Sequence, residues 1–179
     1  MSDESSSQLR DLMVRYQGGD TRAFRELYGA LVPAMRGYLI SLVGSQLVDD
    51  VLQEAFIRVH RVRHTYRDDA PVKPWIYAIA RYTAIDRIRK QQRVRREIGD
   101  AELERFGEVE RDPTTAIAIR QMWQLIDRLP ESQREVLVLQ RLGDLSIKEI
   151  ADTLQTTEGA VKQKLHRAYN SLKSWLGVP

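Results

Sequence analysis

Apolar residues recur along nearly the whole chain at intervals of three and four, the spacing of one face of an α-helix. Leu9, Leu12, Met13 and Tyr16 follow that pattern and stop at Gly18-Gly19. Asp20 is placed to cap a second helix through Phe24, Leu27, Tyr28 and Leu31, and Pro33 marks a new first turn leading through Met35, Tyr38, Leu39 and Leu42 to Gly44. Asp49-Asp50 open a helix to about Arg63, a short loop covers 64–73, and a further helix runs from Pro74 to about Arg93. Thr114 to Leu129 and Glu131 to Leu142 continue the pattern. No strand-like alternation competes, so the expected fold class is all-α.

The last fifty residues add a sharper pattern. Ser146 followed by Glu149 is a capping-box signature for a helix over 147–154, with Ile150, Ala151 and Leu154 on its apolar side. Gln155-Thr156 make a turn, and Thr157 is a natural N-cap for a second helix to about Lys173. At 100° per residue, Val161, Leu165, Ala168, Tyr169 and Leu172 share one arc, while Lys162, Gln163, His166, Arg167 and Asn170 lie opposite. This is a helix-turn-helix whose outer face carries the side chains that pair with base edges in a DNA major groove. A solvated surface helix is the competing reading of that face.

Charge distribution divides the chain. Net charge is only +3 over 179 residues. The stretch 81–96 holds Arg81, Arg87, Arg89, Lys90, Arg93, Arg95 and Arg96 against Asp86, whereas 97–113 is dominated by acids. An acidic, flexible linker is therefore expected at 97–113, between helical domains at 1–96 and 114–179. In the helix from Asp50, the residues Val51, Leu52, Ala55, Phe56, Val59 and Val62 form the core stripe. Ile57 falls on the other side, among Asp50, Gln53, Glu54 and Arg61, as a scattered surface apolar or as the centre of a protein interface with a polar rim. In the aromatic stretch 74–82, Trp75 and Ile79 are expected in the core; the adjoining cations do not share one helical face.

Several chemistries are disfavoured. The chain has no cysteine, which removes disulfides, thiolate metal sites and Cys nucleophiles. His60 and His64 stand four apart, but Arg61 occupies the place of a zinc protease's Glu and no third ligand is evident. Gly18-Gly19 lacks the Lys and Ser/Thr of a phosphate loop. No enzyme activity, cofactor or metal is expected. Neither a signal peptide nor a membrane-spanning run is discernible, so no membrane insertion and a cytoplasmic location are expected.

Four motifs, in order, resemble the extracytoplasmic-function (group 4) sigma factors of the sigma-70 family: GGDTRAFRELYGALVPAMRGYL, VDDVLQEAFIRVHR, PWIYAIARYTAIDRIRK and the terminal LPESQREVLVLQRLGDLSIKEIADTLQTTEGAVKQKLHRAYNSLK. The resemblance implies a sigma-2 domain, a linker and a sigma-4 domain acting with core RNA polymerase, through its β′ clamp and β flap. It implies that Asp50, Gln53, Glu54 and Ile57 dock on polymerase. It implies that Arg67, Asp68, Lys73, Arg81, Tyr82 and Arg87 recognise and melt the −10 element as single strand. Thr157, Lys162, Gln163, Lys164, His166 and Arg167 would meet duplex −35 DNA, and an anti-sigma factor would be a further partner. The chain departs from the family at Tyr82, often Asn, at His60, often Trp, at Gln155, often Gly, and at Gln163-Lys164, often Ser-Arg. The rival reading is an autonomous helix-turn-helix regulator, which binds duplex operator DNA unaided, whereas a sigma factor needs core polymerase.

Overall fold

The computed structural model describes residues 2–98 and 117–177. Every regular element among them is helical: α1 (Ser2–Gln17), α2 (Thr21–Val43), α3 (Val48–Val62), α4 (Val72–Ile98), α5 (Ile117–Asp127), α6 (Glu131–Arg141), α7 (Ile147–Leu154) and α8 (Glu158–Leu176), with a 3₁₀ turn at Arg63–Thr65. Helices α1 to α4 form one helical domain and α5 to α8 a second. Most of the expected acidic linker (99–113) and residues 114–116 lie outside the described residues.

The helix starts follow local chemistry. The Asp20 carboxylate accepts from the amides of Arg22 (2.8 Å) and Ala23 (3.2 Å), satisfying two otherwise orphaned donors at the start of α2. Arg15 donates to the same carboxylate at 2.7 Å, clasping the α1–α2 turn. Those bonds, that of Arg15 first, hold the Asp20 carboxyl below the usual range.

The first domain's core combines Leu9, Leu12, Met13 and Tyr16 of α1 with Leu27, Leu31, Met35, Tyr38 and Leu39 of α2, the α3 stripe, and Ile76, Tyr77, Ala80 and Ala84 of α4. Three expectations need correction. Pro33 does not open a helix: it lies inside the uninterrupted α2. Helix α4 begins at Val72, two residues before Pro74, and continues beyond Arg93 to Ile98, so the anticipated boundary after residue 96 falls within its last turn. Finally, Trp75 and Ile79 are only partly buried against the core. The inward register of α4 belongs to Ile76 and Tyr77, with Trp75 lying edge-on to the Tyr66 ring at 5.4 Å.

In the second domain, Val136, Leu137, Val138 and Leu139 of α6, Ile150 and Ala151 of α7, and Val161, Leu165 and Ala168 of α8 are buried together. The two domains touch directly, α6 against α2 and α7 against α4. A Cβ on Gly143 would lie 3.2 Å from Cε1 of Tyr77, and one on Gly37 would lie 3.3 Å from Cδ1 of Leu142.

Candidate nucleic-acid interface

The helix-turn-helix is built as its sequence directs. Ser146 and Glu149 make the reciprocal capping box: the Ser146 hydroxyl accepts from the Glu149 amide (3.2 Å), and the Glu149 carboxylate accepts from the Ser146 amide (2.8 Å). Gln155 ends α7 in the left-handed region (φ 51, ψ 50), its amide reaching the carbonyls of Ala151 and Asp152. Thr157 then caps α8 by accepting from the Ala160 amide at 3.2 Å. Two bonds hold α8 against α6: Arg141 Nε donates to the Tyr169 hydroxyl (2.8 Å), which donates to Gln140 Oε1 (2.9 Å).

On this seat, Val161, Leu165 and Ala168 point inward, while Lys162, Gln163, His166 and Arg167 are exposed along one face. Lys164 is half-buried at the edge, and Lys162 stands 3.8 Å from Glu158. The outward set can offer paired donors and acceptors to base edges and positive charge to phosphates.

The first domain presents a second constellation around α3 and α4. Asp50, Gln53 and Ile57 are exposed on α3, and Glu54 is half-buried. Ile57, at 45% exposure, sits beside a groove of about 500 Å³ walled by Phe24, Tyr28, Val32, Leu52 and Phe56, with Arg36, Asp49, His60 and Arg61 at its edges. The Tyr28 and Phe56 rings pack 4.6 Å apart in its wall. An apolar groove with charged edges has the anatomy of a protein-binding surface.

Arg58 joins this face to α4, and no sequence pattern singled it out except its i+4 spacing from Glu54. Its guanidinium donates to Glu54 (2.6 Å) and to Asp86 (3.0 Å), and lies 5.4 Å from the centre of the Tyr82 ring. The Arg58 bond, followed by that of Lys90, holds the Asp86 carboxyl below the usual range. Arg87 reaches Asp50 at 3.5 Å, while its Nε is buried without a hydrogen bond.

The six residues expected to meet the −10 element are not gathered on one surface. Arg67 and Asp68 are exposed on the loop before α4, with Arg67 paired to Asp69 at 2.8 Å. That loop is held by Gln17, whose amide donates to the carbonyls of Arg63 (2.6 Å) and Tyr66 (2.8 Å). Tyr82 is exposed, and Arg87 faces α3. Lys73 and Arg81, in contrast, turn to the second domain: Lys73 bonds to Asp144 and Arg81 to Glu135. His60 is tied by Nδ1 to the Tyr16 hydroxyl at 2.8 Å, a structural role for one member of the His60/His64 pair.

Comparison with known proteins finds a family match in each half of the chain. The family model described as Sigma-70 region 2 matches residues 27–94, and that described as Sigma-70, region 4 matches residues 119–172. The chain is 31% identical over 180 residues to the ECF RNA polymerase sigma-E factor of Escherichia coli K12, covering 93% of this chain and 94% of that one. It is 30% identical over 151 residues to the ECF RNA polymerase sigma factor SigM of Bacillus subtilis, covering 83% and 92%. In fold it is similar to the sigma factor RpoE solved in complex with the anti-sigma factor NepR from Bartonella quintana, with a TM-score of 0.75 at 22% identity over 88% of this chain and 99% of that one.

Proposed function

Because this chain belongs to the extracytoplasmic-function sigma factors of bacterial RNA polymerase, we propose that its two domains divide promoter recognition between them and leave all bond-making to the polymerase. In this reading the first domain, residues 1–96, is sigma-2. It docks on the β′ clamp through Asp50, Gln53, Glu54 and Ile57. It opens the −10 element with Arg67, Asp68, Lys73, Arg81, Tyr82 and Arg87. The second domain, residues 114–179, is sigma-4: it contacts the β flap and reads −35 duplex through Thr157, Lys162, Gln163, Lys164, His166 and Arg167. Residues 97–113 link the two.

The observation that carries the reading is α8, a helix seated on one side by Val161, Leu165 and Ala168 and exposing Lys162, Gln163, His166 and Arg167 on the other. Arg favours guanine and Gln favours adenine through paired hydrogen bonds, while the lysines supply phosphate attraction without sequence information. The α3 groove beside Ile57 supports the docking assignment, since its apolar walls and charged rim suit a helical partner. Control by an anti-sigma factor belongs to the same proposal, supported by the fold shared with a sigma factor solved bound to one. A cytoplasmic location follows from the partner, because the factor works where polymerase and chromosome are.

The test is transcription in vitro from a randomised promoter library, with core polymerase and with the protein alone. Promoter-specific transcripts only with core support the proposal. Tight binding of duplex DNA by the protein alone, with no transcription when core is added, overturns it in favour of an autonomous regulator.

A further inference from the structure

The loop that carries Arg67 and Asp68 is shaped from within and clasped from behind. Within it, the Tyr66 hydroxyl donates to the Ala70 carbonyl (2.6 Å) and the Ala70 amide donates to the Arg67 carbonyl (3.0 Å). The Arg67 guanidinium forks onto the Asp69 carboxylate at 3.1 and 2.8 Å. The Tyr66 ring is buried and meets Trp75 of α4 edge-on. Behind the loop stands Gln17, the half-buried last residue of α1. Its side-chain amide donates to the carbonyls of Arg63 (2.6 Å) and Tyr66 (2.8 Å), which are 46 and 49 residues away in sequence.

Both carbonyls lie at the root of the loop, and the site is partly shielded from water. Without the donor, two oxygens would face each other there unsatisfied, and the loop would be free to shift. Bases are told apart by hydrogen-bond geometry, which holds only while the reading side chains stay within about 0.5 Å of their places. A loop that must first be ordered by its ligand also loses affinity to the cost of ordering. Arg67 and Asp68 are exposed at the tip of this turn, so its root determines where they stand.

We propose that Gln17 is a positioning residue for −10 recognition: touching no base itself, it clasps the root of the loop 66–70 and so sets where Arg67 and Asp68 meet the unpaired strand. The positioning half of this proposal rests on the assignment of Arg67 and Asp68 to the −10 element; the clasp itself does not.

The role is one of donation rather than bulk, which three substitutions separate in the full-length protein. Gln17→Met keeps the length and removes the donors, Gln17→Glu turns a carboxylate on the two carbonyls, and Gln17→Lys restores N–H donors on a flexible stem. Far-UV circular dichroism establishes that each variant is folded. Amide hydrogen exchange over 66–71, read by mass spectrometry, reports the loop directly. We expect exchange at least about fivefold faster with Met and with Glu, and near the wild-type rate with Lys. Transcription with core polymerase is then measured on two libraries, one randomised at −10 and the other at −35. Preference among −10 bases should fall at least about fivefold with Met and with Glu and be retained with Lys, while −35 preference stays unchanged in all three. Unchanged exchange with Met and Glu overturns the clasp, and so does a Lys variant as loose as the Met variant. Faster exchange with −10 preference intact overturns the positioning role. Parallel loss of −10 and −35 preference overturns it too, since Gln17 would then serve the fold in general. If Arg67→Ala and Asp68→Ala leave −10 preference as it was, the loop's promoter assignment fails and the positioning role with it, while the exchange rates still decide the clasp.

Discussion

Replacing Gln155 by glycine should make this protein more stable without altering what it reads. Gln155 ends α7 at φ 51 and ψ 50, where an L-residue's Cβ crowds its own carbonyl at about 1–2 kcal/mol. The side chain is exposed, and the two bonds that end the helix come from the backbone amide, which glycine retains. Against the relief of strain stands the greater freedom of glycine in the unfolded chain, about 0.5–1 kcal/mol. The net gain spans about 0–1.5 kcal/mol, with a central value of about 0.75 kcal/mol. For a chain of 179 residues that central value raises Tm by about 1.5–3 °C. Scanning calorimetry and urea unfolding of the full-length protein give the two numbers, and transcription from a −35 library should show unchanged preference. A fall in Tm would show that the Gln155 side chain contributes more than its exposure allows, and a shift in −35 preference would mean it helps aim α8. The companion Asp144→Gly should not gain. Asp tolerates φ 50 better than Gln does, and glycine there removes the carboxylate 3.3 Å from Lys73.

Other substitutions probe the remaining assignments. Ile57→Lys combined with Asp50→Arg should weaken core-polymerase binding at least about tenfold in a pull-down titration, with the melting temperature nearly unchanged, because both residues are exposed; undiminished binding would remove the docking assignment. Tyr77→Phe should be neutral or stabilising by up to about 1 kcal/mol in urea unfolding, since its hydroxyl is buried without a hydrogen-bond partner; a clear loss would point to a partner for that oxygen. Gln163→Ala and Arg167→Ala should each relax −35 preference at one or two positions by about 1–3 kcal/mol, measured on a promoter library. Lys164→Ala should weaken all promoters alike and reduce the salt slope by about one unit.

Helix stripes and caps were legible in the sequence because they are local. The Asp20, Ser146 and Thr157 caps all form, and the two faces of α8 divide as their 100° steps require. Pro33 was misread because a helix can run through a proline when packing on both sides of it offsets the lost hydrogen bond. Here Leu31, Met35, Tyr38 and Leu39 are all buried, and that packing carries α2 through it. Trp75 was misread by one position of helical register: bulk suggested the core, but Ile76, Tyr77 and Ala80 take the inward side. The scatter of cations around α4, which left no DNA face in the sequence, has a tertiary explanation. Lys73 and Arg81 meet acids 71 and 54 residues away in the second domain, while Arg87 meets Asp50 in the first. Pairings across such separations leave no periodic trace, and Glu135 sits inconspicuously beside the apolar run 136–139.

The proline inside α2 has a mechanical consequence. Lacking an N–H, Pro33 cannot bond to the carbonyl of Gly29, so α2 is missing one rung between its two halves. The first half carries Phe24, Tyr28 and Val32 into the groove, and the second carries Tyr38 to Glu135. A guest in the groove and the closure between domains thus bear on a single rod with its softest joint between them. If a guest in the groove bends that joint so as to part the domains, reciprocity requires that their closure weaken the guest's binding by the same ratio.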